Sequence, residues 1–321
     1  MNDNSVARLV ELGNYLKSRH YEFTTATPLT HQRVLRNRGD VPAQDLRDIF
    51  GWNLPFDGAM MPTPWADRLH REGLIQALET GMYKGMYQST VRMSSLAGGL
   101  YAHSGFPTVE EDAVFFGPDT YRFAALIERE LAARPLPVAS RILDMGCGGG
   151  PGGIVAAQAA GGPVRELVLA DINPRALALS RVNARLAQVQ ACTFVESDLF
   201  TNIDGDFDLI VSNPPYLVDA DRRTYRHGGG DHGEGLSQRI LEQAIAHLAP
   251  GGRLILYTGS AIVQGVDPFS EWAAGTAARA GCPFTRQEID PDVFGEELDR
   301  PEYAGVDRIA AIGLVVRRPA A

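Results

Sequence analysis

Two patterns of apolar and polar positions divide the chain near residues 134–140. Downstream, largely apolar runs at 141–145 (RILDM), 166–170 (ELVLA), 192–196 (CTFVE), 207–212 (FDLIVS) and 253–258 (RLILYT) are predicted strands. The intervening segments 151–160, 174–188, 234–248 and 267–280 have helical spacing. Near the end, TRQEI and RIAAIGLVV are two more strand-like runs, separated by a polar stretch without a helical stripe, which predicts an antiparallel pair at one sheet edge. Together these elements predict an α/β fold, a doubly wound, mostly parallel seven-stranded sheet with helices on both faces.

Upstream, short helical patterns are broken by Pro and Gly. Val6, Leu9, Val10, Leu12 and Leu16 form the apolar stripe of a first helix, and a second is expected after Thr30, which would cap HQRVLRNR. Residues 73–105 read as a short helix followed by two or three strands, with a turn at Gly98-Gly99. Helices ending in a β-wing are compatible with a winged-helix-like shape, and equally with a cap beside an active site. The expected division is an N-terminal cap or specificity domain over 1–110 and a main α/β domain over 111–321. At 321 residues the chain has room for both.

Charge narrows the choice of partners. The net charge is −9, and residues 1–110 carry 11 basic and 11 acidic side chains, so the whole excess lies downstream. An acidic chain with a neutral N-terminal region makes nucleic acid an unlikely partner. The cluster Arg33, Arg36, Arg38 reads as a solvated helix face. Cys147, Cys192 and Cys282 are far apart, with no CxxC pair. Neither a signal-peptide core nor a run of roughly 20 apolar residues is present, so the expectation is a cytoplasmic protein without a membrane partner.

The sharpest local signal follows the first downstream strand: Asp144-Met145-Gly146-Cys147-Gly148-Gly149-Gly150. Glycines let a backbone turn tightly and approach a ligand closely. An acid precedes them, Asp171 ends the second strand, and Asp198 follows the third. Three acids then share the sheet edge at which α/β folds bind ligands. Asp144 can reach a cationic amino group, Asp171 ribose hydroxyls and Asp198 an adenine amine. The loop lacks the GK[ST] ending of a P-loop. The second signal is Asn213-Pro214-Pro215-Tyr216, after FDLIVS. Two prolines hold the Asn213 side chain and neighbouring carbonyls as fixed acceptors for both hydrogens of a planar NH2, and Tyr216 offers a π-face.

DMGCGGG, the acid of ADIN, ESDLF and NPPY, in this order, resemble the class I S-adenosylmethionine-dependent methyltransferases, and among them the NPPY-bearing group of release-factor glutamine methyltransferases. The resemblance covers about residues 110–321. It implies strand order 3-2-1-4-5-7-6 and S-adenosylmethionine as cofactor. By matching positions, Asp144, Gly146 and Gly148 would hold the methionine moiety, Asp171 the ribose, and Asp198 with Leu199 the adenine. Thr120, Cys147, Ile172 and Asn213 complete the implied cofactor set, and Asn213, Pro214, Pro215 and Tyr216 form the implied transfer site. Phe116-Gly117-Pro118-Asp119-Thr120-Tyr121 stands where release-factor enzymes carry Pro-Arg-Pro-Glu-Thr-Glu, but Gly117 replaces the arginine and Tyr121 the second glutamate. Residues 1–110 do not resemble that family's helical bundle, so the acceptor stays open between a small molecule and a protein amide.

The stretch Tyr225 to Glu234, with four glycines, reads as a mobile loop on the substrate side. His227, Asp231, His232 and Glu234 lack the spacing of a metal site, and no metal is expected. Cys147 reads as a small filler without a His partner. Two rival activities use the same residues: cyclisation of the cofactor, as in azetidine-2-carboxylate synthases, with release of methylthioadenosine, and methylation of a nucleic-acid base amine, which requires the base outside its stack.

Overall fold

The computed structural model describes residues 1–219 and 225–320. The chain opens with α1 (Asp3–Ser18), α2 (Pro28–Arg38), α3 (Leu46–Phe50) and α4 (Trp65–Arg71). Four short strands follow: β1 (Ile75–Ala77), β2 (Tyr87–Ser89), β3 (Val91–Leu96) and β4 (Gly99–Ser104). The helix expected after Thr30 begins earlier. Thr27 is its N-cap, accepting the Thr30 N–H, and Pro28 takes the first turn, where its missing N–H costs nothing. The segment read as a short helix after Gly73 contains strand β1 instead, antiparallel to β2. The β3–β4 turn is centred on Ala97 and Gly98, both at positive φ, a two-residue geometry that matches the strands' twist.

The main sheet is built from β5 (Arg141–Met145), β6 (Glu166–Asp171), β7 (Cys192–Glu196), β8 (Phe207–Ser212), β9 (Leu248–Val263), β10 (Phe284–Asp290) and β11 (Val306–Arg317). Their spatial order is β10-β11-β9-β8-β5-β6-β7. Counted within this sheet, that is the 3-2-1-4-5-7-6 order. Strands β5 to β9 pair in parallel, while β11 is antiparallel to both β9 and β10. Helices α5 (Pro118–Ala133), α6 (Pro151–Ala159), α7 (Pro174–Leu186), α8 (Gly235–Ala246) and α9 (Pro268–Arg279) cover the sheet. The polar stretch before β11 forms two 3-10 turns.

Two sequence features aim the strand ends. Gly150, at φ +78°, turns the chain from β5 into α6, and Pro151 starts that helix. Gly152 and Gly153 let α6 approach closely, since a Cβ at Gly153 would meet the Leu169 side chain at 2.7 Å. The core of the N-terminal region is continuous with the main domain. Leu9, Leu12 and Leu16 of α1 share an apolar cluster with Leu179, Val182 and Leu186 of α7. Each fully buried leucine there contributes about 1.5–3 kcal/mol. Gly13 is where Leu186 comes closest to α1, and the Lys17 ammonium donates to the Leu186 carbonyl at 2.6 Å. Among the described residues no helix is long and apolar enough to cross a membrane.

Candidate active site

A cavity of about 550 Å³ opens at the carboxyl ends of β5, β6, β7 and β8. Its walls include each position of the implied cofactor and transfer sites: Thr120, Asp144, Gly146, Cys147, Gly148, Asp171, Ile172, Asp198, Leu199, Asn213, Pro214, Pro215 and Tyr216. The β8 end contributes the sequence's second signal. Among the described residues the Asn213 side chain makes no hydrogen bond, and the Pro214 carbonyl accepts none. Ser212, just before them, donates to the Met145 carbonyl at 2.7 Å and so ties β8 to β5 directly under the cavity.

The acids behave differently from one another. Asp171 holds the glycine loop: its Oδ2 accepts the Gly148 N–H at 2.8 Å and its Oδ1 the Asn173 N–H at 2.9 Å. A carboxylate oxygen can accept two bonds, so capacity remains for a ligand hydroxyl. Asp144, expected to reach a cationic amino group, is 2% exposed, and its Oδ2 accepts the Gly153 N–H at 2.7 Å. Burial pushes its carboxyl up to about 7. At neutral pH it is therefore divided between acid and carboxylate, and a cation beside it would favour the charged form. Asp198 is exposed on the wall, and Ile172 holds an apolar side chain 53% exposed beside Asp171. An isoleucine so exposed at the cavity wall offers an apolar surface to a ligand beside Asp171. Cys147 is buried, and burial pushes its thiol well up, out of the nucleophilic range.

Tyr216 departs from its expected role. Its ring is 7% exposed, lies against Gly259 where any Cβ would clash, and meets Phe294 edge-on at 5.8 Å. It therefore shows the cavity only a small part of its surface. Its hydroxyl donates to Asp119 Oδ2 at 2.5 Å, while the Tyr257 hydroxyl donates to Oδ1 at 2.8 Å. Arg122 also reaches Asp119 Oδ1 at 3.1 Å and bonds Asp290 at 2.6 Å. This buried group of Asp119, Tyr216 and Tyr257 fixes the end of β8 to α5 and β9. Of its members, only Tyr216 was a candidate from the sequence. Asp119 stood in the segment compared with Pro-Arg-Pro-Glu-Thr-Glu, but its partner Tyr257 lies 138 positions away. Thr120, beside Asp119, caps α5 by accepting the Gly117 N–H at 3.3 Å.

The glycine-rich stretch is not the loosely organised loop its composition suggests. The Gly228 N–H donates to the Leu217 carbonyl at 2.8 Å, and Leu217 forms a bridge with His227. A Cβ at Gly228 would lie 2.7 Å from the Pro215 carbonyl oxygen and still closer to that of Gly233. Gly233, at φ +102°, presses against the backbone of Tyr216 and Leu217. Its glycines thus permit contact between backbones. Glu234 accepts the Asp231 and His232 N–H groups at 3.3 and 2.9 Å, so it closes a turn. Among the described residues no group of three or more His, Cys, Asp or Glu could hold a metal ion. Arg226 lines the cavity between Asp219 and Glu297, and Glu297 also pairs with Arg300 at 3.0 Å.

The site thus combines a cavity at the parallel strand ends, a glycine loop held by an acid and an asparagine without a partner among the described residues, a combination that fits a nucleoside-bearing cofactor. Residues 124–262 match the model of the methyltransferase small domain, and this match supports a class I S-adenosylmethionine-dependent methyltransferase resembling the release-factor glutamine group. It is 35% identical over 167 residues to the release factor glutamine methyltransferase of Deinococcus radiodurans, covering 49% of this chain and 55% of that protein. Ribosomal RNA small subunit methyltransferase C of Pasteurella multocida is 39% identical over 118 residues, covering 37% and 32%. The chain thus spans about half or less of the length of these relatives. A solved structure of a Pyrococcus horikoshii protein described as a transferase shares the fold, with TM-score 0.50 and 13% identity over 80% of this chain and 83% of that one. S-Adenosylmethionine is the cofactor, and the cavity's glycine loop, exposed Ile172 and unpaired Asn213 fit it.

Proposed function

We propose that this chain methylates a planar or amine nitrogen, on a small molecule or on a glutamine-like protein amide. The observation that carries the reading is the Asn213 amide, without a partner among the described residues, beside the open Pro214 carbonyl on the wall of the cofactor cavity. In this reading Asp144, Gly146, Cys147 and Gly148 border the methionine moiety, Asp171 and Ile172 the ribose, and Asp198 with Leu199 the adenine, while Thr120 supports the wall. When bound, the cofactor supplies an electrophilic methyl group. The chain's own task is then position, orientation and a dry cleft. Asn213 Oδ1 and the Pro214 carbonyl accept the two hydrogens of the acceptor NH2. As the nitrogen gains positive character, those bonds strengthen, which lowers the barrier. Pro215 fixes the turn, and Tyr216, held by Asp119, acts as a positioning residue. Residues 1–110 serve as the cap that selects the acceptor, and 111–321 as the cofactor domain.

The test is incubation of the purified protein with S-adenosylmethionine, alone and with a cell extract. The expected product is S-adenosylhomocysteine, formed only with extract and unaffected by nuclease treatment. Methylthioadenosine formed without extract would overturn the reading in favour of cyclisation. Loss of product after nuclease treatment would overturn it in favour of a nucleic-acid base.

A further inference from the structure

The β3–β4 hairpin has two buried faces of opposite chemistry. Because side chains alternate along a strand, Val91, Met93, Leu100 and Ala102 enter the apolar core shared with α1 and α7. Arg92, Ser94 and His103 face the other way and are buried as well, at 3%, 0% and 1% exposure. Aromatic rings cover them. The Arg92 guanidinium lies 5.7 Å from the Phe106 ring centre, His31 stacks on Phe106 at 4.1 Å, and His103 stacks on Phe116 at 5.0 Å. Ser94 Oγ is bonded to His103 Nε2 at 2.8 Å and to Thr25 Oγ1 at 2.5 Å.

Among the described residues Arg92 has no counter-ion. Its Nε donates to the Ser104 carbonyl at 3.2 Å, and among the described residues its two terminal nitrogens have no hydrogen-bond or ion-pair partner. Burying a guanidinium this way costs several kcal/mol. Three buried atoms on this side lack partners among the described residues, Trp52 Nε1, His31 Nδ1 and His103 Nδ1, and the Trp52 and His31 rings lie 5.1 Å apart. Burial, aided by Arg92, lowers His31 to about 4 and His103 well below its usual range, so both are neutral at pH 7. Burial lowers Arg92 only to about 10, so it stays charged. Arg38, over the Trp52 ring, is already paired with Asp48 at 2.5 Å.

We propose that the Arg92 guanidinium anchors a binding site for a small monoanionic carboxylate, outside the cofactor cavity. A planar guanidinium matches a carboxylate with two parallel bonds, and one positive charge balances one negative charge. A phosphate dianion would remain half neutralised. Phe115 lines the cofactor cavity while its neighbour Phe116 stacks on His103, so one segment of chain walls both sites. The carboxylate belongs either to the methyl acceptor or to a separate small acid, and the site stands independently of the transfer chemistry proposed above.

The experiment is calorimetric titration of the full chain with phenylacetate, phenylacetamide and phenylphosphate at constant ionic strength. Phenylacetate is expected to bind at least ten-fold more tightly than the other two. No binding, or equal binding of all three, would overturn the proposal. Arg92→Gln is expected to weaken phenylacetate at least ten-fold, and unchanged affinity would overturn it. If that variant does not fold, Arg92→Lys keeps the charge but loses the fork, and several-fold weakening is expected where unchanged affinity again refutes the site. Repeating the titration with saturating S-adenosylhomocysteine separates the sources. Tighter phenylacetate binding assigns the carboxylate to the acceptor, and unchanged binding to a separate acid.

Discussion

The loop after β5 and the segment 225–235 border the same cavity, and both are dense in glycine. At Gly146 the backbone lies at φ +68°, and a Cβ would meet nothing within 4 Å. The glycine is needed for its torsion and for the room it leaves a ligand. At Gly228 and Gly233 the reverse holds, since a Cβ would strike neighbouring backbone. Glycine loops can therefore be built for what binds them or for what they are pressed against. Only a loop of the first kind has a ligand-binding signature readable in sequence.

That contrast can be broken by substitution. Gly233→Ala is expected to cost more than about 4 kcal/mol in chemical denaturation, because neither the backbone it meets nor its own φ can yield cheaply. Asn213→Ala, on the strand end between the loops, should slow turnover by about 10²–10³-fold, with stability and cofactor affinity changed no more than a few-fold. Near-normal turnover would remove Asn213 from the transfer site. Asp119→Asn leaves one of two buried tyrosine hydroxyls poorly matched, and about 1–3 kcal/mol should be lost. Gly146→Ala should cost only about 1–2 kcal/mol, the strain of a left-handed alanine, while weakening cofactor binding. If it proved as damaging as Gly233→Ala, both loops would be packing devices and the contrast would fail.

A last effect is a pH slope. Asp144, raised to about 7 by burial, binds its proton more tightly folded than unfolded. Its contribution is therefore complete below about pH 4 and lost as pH rises through 7, at no more than about 1.4 kcal/mol per pH unit. Asp144→Asn should flatten that part of the stability profile, and an unchanged slope would assign it to other groups.

Sequence periodicity located the seven strands of the sheet and the helices α6 to α9 within a few residues, because buried parallel strands and amphipathic helices leave long, regular signals. It left the 16-residue α5 unassigned, cut β9 short at both ends, and failed where elements are short. β1 spans three residues, too few to show a period, and Thr27 rather than Thr30 starts α2 because Pro28 is already helical. The cavity wall was legible because glycines, acids and NPPY lie close together at strand ends. The Asp119–Tyr257 bond and the unpaired Arg92 were not, since each depends on which distant chain segments meet.

The apolar cluster joining α1 to α7 also bears on how such a chain can diversify. A version begun at residue 111 would leave Leu179, Val182 and Leu186 facing water, so the catalytic half could not be lent intact to a different front end. Any exchange of the first 110 residues has to bring a matching surface for α7 with it. The unit that folds is thus larger than the part of the chain that lines the cavity.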